Sequence, residues 1–137
     1  MKIVYDEKLM KSMILFENLT GVKALDVILR NNSIWFVVEK GTIFKALGKN
    51  AFKVKKLESL FKKKIKLIEK SEDIKEFAAH LIYPIKAENM EFEEGILTIF
   101  VGDIRSKGLL IGRERKNLKE LKETLSRYFK FEDIVIK

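Results

Sequence analysis

The sequence predicts an α+β protein made of two similar units in tandem, residues 1–70 and 71–137, each with the element order α-β-β-α-α-β. Three observations lead to this prediction. Apolar residues recur at helical spacing in some segments, β-branched and aromatic residues cluster in short runs between them, and the whole pattern repeats once at an offset of 64 residues. In each unit we expect a three-stranded mixed sheet that is covered on one face by the helices.

The first helix is predicted over residues 7–19, because apolar residues return there every three or four positions. Its apolar stripe consists of Leu9, Met10, Met13, Ile14 and Phe16. Gly21 follows directly and suits a helix C-terminus, where a left-handed backbone is common. Two β-rich runs come next, at residues 22–30 and 34–38, and the Asn31-Asn32-Ser33 segment between them indicates a hairpin.

Two further helices complete the first unit. Thr42 is expected to cap a short helix that ends at Leu47, and Asn50 is expected to cap a longer one after Gly48 and Lys49 interrupt the pattern. The apolar residues of the longer helix are Val54, Leu57, Leu60 and Phe61. A strand over residues 64–69 ends the unit.

The second unit repeats this order. Ser71 is expected to cap a helix that Pro84 ends, and its apolar stripe is Ile74, Phe77, Ala78, Leu81 and Ile82. Strands are predicted at residues 85–92 and 96–101 around a Glu93-Glu94-Gly95 turn. The remaining elements are a short helix that reaches Ile111, a break at Gly112, a longer helix and a strand over residues 132–136. The longer helix is expected to carry Leu118, Leu121, Leu125 and either Tyr128 or Phe129.

The repeat is clearest around two glycines. The offset places the segment 45–49 (Lys-Ala-Leu-Gly-Lys) over the segment 109–113 (Leu-Leu-Ile-Gly-Arg). The junction near Lys70 and Ser71 has no Gly, no Pro and no Ser-rich stretch, so we expect the two units to be joined rigidly.

Composition narrows the class of protein. The chain has no cysteine, which excludes disulfides, thiolate nucleophiles and cysteine-ligated metal sites. No apolar run approaches the ~18 residues of a membrane span, and the N-terminus lacks the pattern of a secretion signal. We therefore expect a cytoplasmic protein without membrane contact.

The net charge of +8 favours an anionic partner, and it is unevenly distributed. Residues 1–70 have 16 Lys and Arg against 7 Asp and Glu, whereas residues 71–137 have 12 against 13. A second basic segment nevertheless lies at residues 105–119. Charge alone is equally consistent with lysines that only keep the protein soluble.

The candidate binding feature is the loop between two helices that each unit contains, residues 47–51 and 111–115. The glycine lets a ligand approach the backbone without meeting a Cβ, and the following helix begins with unpaired N–H groups at the positive end of its dipole. Basic side chains nearby add charge that neutralises phosphate. They are Lys45, Lys49 and Lys53 in the first unit and Lys107, Arg113, Arg115 and Lys116 in the second. Two such sites on one chain suit a nucleic-acid backbone better than a small metabolite.

These loops and the elements around them resemble the KH family, whose members clamp single-stranded nucleic acid with a G-x-x-G loop between two helices. The element order is similar to that of type II KH domains, and two such units in tandem resemble the archaeal NusA family. The resemblance implies single-stranded RNA binding by two rigidly joined KH domains in transcription elongation or termination, with RNA polymerase as a further partner. The RNA-binding residues that it implies are Lys45, Leu47, Gly48, Lys49, Asn50, Ala51 and Lys53 in the first unit, and Lys107, Gly108, Ile111, Gly112, Arg113, Glu114, Arg115 and Lys116 in the second.

Both loops lack the second glycine of the KH pattern, because Ala51 and Arg115 occupy that position. Glu114 also brings an acidic group into the second loop, so we expect the first loop to be the stronger phosphate clamp. The same departures favour an alternative, a degenerate KH module that binds protein or associates with the ribosome. An enzyme acting on RNA is disfavoured, because no metal-ligand cluster, nucleophile–base pair or Walker motif is present. We expect a monomer that has neither a cofactor nor a metal.

Several other polar and aromatic residues have ordinary structural interpretations. His80 has no second histidine to share a metal, and the Glu93-Glu94 pair lies in a turn. Trp35 and Phe36 point to opposite sides of a strand, so one of them is open to base stacking, although core packing or contact between the units is favoured.

Overall fold

The computed structural model describes residues 7–30 and 32–137, which form two compact units that divide between Lys70 and Ser71. Each unit contains the elements α-β-β-α-α-β in that order. The chain is therefore an α+β protein with two three-stranded sheets, as the sequence predicts. Every helix in these described ranges is too short or too polar to cross a membrane. The assignment of residues 1–70 and 71–137 as two KH domains stays a prediction at this point.

The elements of the two units correspond one to one. In the first unit they are α1 (Glu7–Thr20), β1 (Asp26–Leu29), β2 (Ser33–Val38), α2 (Ile43–Leu47), a 3-10 turn (Lys49–Ala51), α3 (Phe52–Phe61) and β3 (Lys64–Glu69). In the second unit they are α4 (Ile74–Ile82), β4 (Asn89–Glu93), β5 (Ile96–Phe100), α5 (Ile104–Ile111), a 3-10 turn (Arg113–Arg115), α6 (Lys116–Ser126) and β6 (Asp133–Ile136).

In both sheets the middle strand pairs antiparallel with the strand before it and parallel with the strand after it. β2 lies between β1 and β3, with Phe36 opposite Val27 on one side and Leu67 on the other. β5 lies between β4 and β6 in the same way, with Leu97 opposite Ile134 in the parallel pair. A parallel pair needs a crossover connection, which α2 and α3 provide in the first unit and α5 and α6 provide in the second. Each glycine loop lies within that crossover.

The core of the first unit lies between β2 and the helices. Ile34, Phe36 and Val38 point from alternate positions of β2 into the same cluster as Phe16 of α1 and Leu57 of α3. The rings of Phe16 and Phe36 are fully buried and stack with their centroids 4.2 Å apart. Burial of one such side chain stabilises a fold by about 1.5–3 kcal/mol. This cluster fixes α2 and α3, and therefore the loop between them, on the sheet.

The core of the second unit confirms the predicted stripe of α4. All five of its apolar residues are buried. Phe77 contacts Tyr128 and Phe129, which follow the end of α6, with ring centroids 5.1 and 6.0 Å apart. The predicted α6 residues are also buried, and they are Leu118, Leu121 and Leu125.

The apolar stripes of α1 and α3 are narrower than predicted. Three side chains assigned to them are more than half exposed, and they are Met10, Ile14 and Leu60. In α1 two hydroxyl residues, Ser12 and Thr20, are buried instead. They donate to the carbonyl oxygens of Lys8 and Phe16, one turn earlier, at 3.0 and 2.8 Å. A hydroxyl satisfied by its own helix can lie on a buried face, and apolar periodicity does not detect this.

The predicted caps of the first unit are confirmed only in part. Thr42 occupies the cap position of α2, as predicted, but its hydroxyl donates to the Glu39 carbonyl oxygen at 2.7 Å and makes no capping bond to the helix. Asn50 lies inside the 3-10 turn with φ 53°, and the residue that precedes α3 is Ala51. The Asn31 part of the predicted hairpin turn lies outside the described residues, but the Arg30 N–H donates to the Ser33 carbonyl oxygen at 2.8 Å.

The cap of α4 is also different from the prediction, by two residues. Asp73, whose carboxylate accepts from the Lys75 N–H at 3.1 Å, caps the helix, while the Ser71 hydroxyl accepts from the Asp73 N–H at 3.1 Å. Asp and Ser are similarly good caps, so the sequence alone could not choose between them. Two strands are shorter than predicted, because β1 begins at Asp26 and β4 begins at Asn89.

Trp35 lies on the face of β2 opposite Phe36, between two cations. The Arg30 Cζ and Lys66 Nζ atoms lie 5.1 and 4.5 Å from the centroid of its ring. Burial lowers the pKa of Lys66 to about 8, because the charged ammonium loses hydration. The electron-rich face of the ring favours the charged form and opposes this effect of burial on the pKa.

We expect the free energy of unfolding to rise between pH 8 and pH 10.5 because of Lys66. The unfolded chain keeps this proton up to the ordinary pKa of 10.5, whereas the folded chain releases it near 8, so the unfolded state binds more protons in that window. Below pH 8 both states are protonated and the destabilisation is constant. Urea denaturation across this range should show a smaller rise for Lys66→Met than for the exposed-site control Lys64→Met. An identical rise in both variants would contradict the assignment.

Candidate nucleic-acid interface

The two glycine loops have the same backbone conformation. At the glycines, φ and ψ are 75° and 174° in the first loop and 74° and 171° in the second. The residues two and three positions after each glycine have a left-handed backbone, with φ 53° and 58° in the first loop and 55° and 63° in the second. Those residues are Asn50, Ala51, Glu114 and Arg115. The repeat seen in the sequence is therefore also a repeat of backbone geometry.

Both loops require glycine at residues 48 and 112. Gly48 and Gly112 have positive φ, a backbone conformation that residues other than glycine rarely adopt. A Cβ on Gly48 would lie 2.8 Å from the Phe52 ring and 2.8 Å from Lys53 Cγ. A Cβ on Gly112 would lie 2.7 Å from the side-chain amide of Asn117. Residues of the following helix thus pack directly against each glycine.

A side-chain hydrogen bond at corresponding positions ties the two helices of each crossover together. Lys53 Nζ donates to the Lys45 carbonyl oxygen at 3.1 Å, and Asn117 Nδ2 donates to the Leu109 carbonyl oxygen at 2.7 Å. Lys53 and Asn117 are related by the 64-residue offset, as are Lys45 and Leu109. We call this bond the loop brace. Lys53 also donates to the Thr20 carbonyl oxygen at the end of α1, at 3.1 Å.

The helices that follow the loops have no side-chain cap within the described part of the chain. Ala51 and Arg115 occupy the cap positions of α3 and α6, and neither makes a capping hydrogen bond. By contrast, Asp73 caps α4, and Asp103 caps α5 by accepting from the Ser106 N–H at 2.6 Å. The hydrogen bonds from the Ser106 N–H and from the Ser106 hydroxyl lower the pKa of the Asp103 carboxyl. The N–H groups of Phe52 and Lys116, which begin α3 and α6, instead donate to the carbonyl oxygens of Lys49 and Arg113 in the preceding 3-10 turns. No carboxylate of a capping residue therefore occupies the start of either helix.

The predicted site residues are brought together around each loop, with different exposure. The exposed ones are Lys45, Lys49 and Asn50 in the first unit and Lys107, Gly108, Arg113, Glu114, Arg115 and Lys116 in the second. The half-buried ones are Leu47, Gly48, Ala51, Lys53, Ile111 and Gly112. Lys53 differs from the other lysines, because two of its three ammonium hydrogens serve the loop brace and α1.

Two aromatic residues beside the first loop were missed by sequence reasoning. Phe44 precedes Gly48 by one helical turn, and its carbonyl oxygen accepts the Gly48 N–H at 3.1 Å. Phe44 is 81% exposed and Phe52 is 52% exposed. Aromatic residues in helices are ordinarily assigned to the core, so the pattern hides them. Their position four residues before and four residues after the glycine was the available signal.

We expect Ala51→Gly to stabilise the protein by about 0.5–1 kcal/mol. Glycine removes a left-handed strain of about 1–2 kcal/mol, and its greater freedom in the unfolded chain offsets part of the gain. Ala79→Gly, at an exposed position inside α4, is the matched control and should destabilise by about 1 kcal/mol. Equal destabilisation by both substitutions in thermal or urea denaturation would show that Ala51 is not strained.

Comparison with known proteins identifies several similar chains. No family model matches the sequence. A probable transcription termination protein NusA from Halococcus morrhuae is 24% identical over 136 residues, which cover 98% of each chain. The protein of that name from Methanococcus vannielii is 36% identical over 107 residues, which cover 76% of this chain and 62% of that one.

The fold is also similar to a solved structure. The crystal structure of a protein designated APE1850 matches with a TM-score of 0.72 and 29% identity, over 97% of this chain and 100% of that one. Together with the sequence matches, this similarity extends over nearly the whole chain. The resemblance to archaeal NusA proteins that the two loops indicate is therefore confirmed.

Proposed function

We propose that this protein binds single-stranded RNA through both glycine loops, as two tandem type II KH domains, and that it acts in transcription elongation or termination. The observation that supports this most is the pair of loops with one backbone conformation, each leading into a helix without a side-chain cap. An RNA strand offers the same ligand, a phosphate, at regular intervals, and so it can occupy two equivalent sites at once.

Phosphate suits these loops for electrostatic reasons. The first-turn N–H groups of α3 and α6 point toward the loop, and the helix dipole adds partial positive charge there. In α4 and α5 a carboxylate already occupies the corresponding place, so an anion would be repelled from them. The contrast separates the two loop helices from the two capped helices of the same chain.

The residues that replace the second KH glycine have a backbone conformation that suits glycine. Ala51 and Arg115 adopt the left-handed conformation that glycine would adopt most easily. This favours retained RNA binding over the alternative of a degenerate module that binds protein or associates with the ribosome. Arg115 is exposed, and its guanidinium is suited to bind a phosphate oxygen directly.

The place in transcription is inferred from the relatives. The sequence relatives compared above are named probable transcription termination proteins. We therefore propose that this chain acts on nascent RNA close to RNA polymerase. A binding protein needs no catalytic group, and we propose that this chain is a cytoplasmic monomer without enzymatic activity. Rigid joining of the two units would give the second site a high effective concentration once the first is bound.

The binding proposal is tested with random-sequence RNA in single-stranded and duplex form, titrated at several salt concentrations. We expect preference for the single strand, and a logarithmic slope against salt of about 0.7 for each phosphate neutralised. Selection of bound RNAs from the same single-stranded pool then defines the RNA sequence preference. Affinity that does not fall with salt would favour the protein-binding alternative.

The first loop should contribute more than the second. Lys49→Glu and Arg113→Glu change the charge equally at corresponding exposed positions, but only the second loop already contains a carboxylate, that of Glu114. We expect Lys49→Glu to reduce RNA affinity by about tenfold or more and Arg113→Glu to have a smaller effect, since a charged hydrogen bond contributes about 1.5–3 kcal/mol. A larger loss from Arg113→Glu would reverse the order of the two loops.

A further inference from the structure

We propose that Phe44 and Phe52 form a stacking site for nucleobases beside the first loop, and that the second loop has no equivalent. This inference rests on the proposed function and adds a chemical difference between the two units. It predicts that the first unit contacts both the bases and the backbone of the nucleic acid, whereas the second unit contacts the backbone alone.

Both residues lie beside the first loop. The Phe52 ring is held against Gly48, since its Cε1 and Cδ1 atoms lie 2.8 and 2.9 Å from the position that a glycine Cβ would occupy. Phe44 lies one helical turn before Gly48, whose N–H donates to the Phe44 carbonyl oxygen at 3.1 Å. One aromatic residue therefore precedes the loop and the other follows it.

Core packing does not account for these side chains. Phe44 is the second most exposed of the large hydrophobic residues described in the structure, and about half of Phe52 is open to solvent. The interior positions of the crossover are filled by Ala46 and Leu57, both fully buried. The rings thus form an apolar surface that is available to a ligand.

The charge around the rings favours a nucleic-acid strand as the occupant. The sequence has no acidic residue between Glu39 and Glu58, and six lysines lie in that interval. They are Lys40, Lys45, Lys49, Lys53, Lys55 and Lys56. A single-stranded nucleic acid supplies an anionic backbone together with a flat π-face on every nucleotide, which matches this combination of cations and rings.

The second loop has the cations without the rings. The 64-residue offset places Gly108 at the position of Phe44 and Lys116 at the position of Phe52. A Cβ on Gly108 would meet no atom within 4 Å, so the space beside the second loop is open. This arrangement suits a sugar-phosphate backbone that passes close to α5.

The test compares single-stranded RNA with an abasic oligonucleotide of the same length and backbone charge. Phe44→Leu and Phe52→Leu keep the side chains apolar and remove the aromatic face. We expect each substitution to reduce affinity for RNA by about fivefold or more, and to leave affinity for the abasic strand nearly unchanged. Tyr83→Leu is the matched control, because Tyr83 is 63% exposed and lies outside both loops.

The outcomes separate this inference from the proposed function. If the wild-type protein binds RNA and the Phe44→Leu/Phe52→Leu double variant binds it equally well, stacking is disproved and RNA binding stands. If the double variant loses the same affinity for RNA and for the abasic strand, the rings only support the loop, and stacking is again disproved. If the wild-type protein binds no single-stranded RNA, both proposals fail. Circular dichroism and thermal denaturation of each variant verify that it is folded.

Discussion

The candidate site depends on one backbone constraint, a turn between two helices that contains a glycine followed by two left-handed residues. A normal helix cap has an extended backbone, as Asp73 and Asp103 do with ψ of 122° and 156°. Ala51 and Arg115 have ψ of 28° and 21° instead, and neither side chain contains an acceptor atom. The turn itself supplies the acceptors for the first N–H groups of α3 and α6, which are the carbonyl oxygens of Lys49 and Arg113. The turn that joins the helices therefore also replaces the side-chain cap of the second helix.

The loop brace maintains this turn with different chemistry in the two units. Lys53 is long enough to reach the carbonyl oxygens of Lys45 and Thr20, so it joins the ends of α2 and α1 and places a positive charge at both helix C-termini. Asn117 is shorter and bonds only the Leu109 carbonyl oxygen among the bonds described. Both units therefore have a side-chain hydrogen-bond donor at this position, but only the donor of the first unit is charged. For this reason the presence of Lys53 near the loop does not by itself identify a phosphate ligand.

The sequence predicted the parts of the structure that depend on periodicity and on glycine. The element order, the buried stripe of α4 and the positions of both loops follow from these signals. Caps were predicted poorly, because Ser71 and Asp73 compete for one helix end and because left-handed residues such as Asn50 leave no pattern. The exposed rings beside the first loop were missed, because their exposure depends on how α2 and α3 pack on the sheet. Local pattern contains no information about that packing.

In the proposed binding mode the groups that would hold a phosphate belong to the backbone, so the two loops can differ in side-chain chemistry. N–H groups and a helix dipole are present whatever side chains follow the glycine, so residues around the turn are free to diverge. In the second loop Glu114 lies between Arg113 and Arg115, and the three together still have a net positive charge. Long guanidinium side chains there can reach phosphate oxygens at a greater distance than the close backbone approach alone permits. A strand that followed both loops would therefore be held by base contacts and close backbone approach at the first, and mainly by charge at the second.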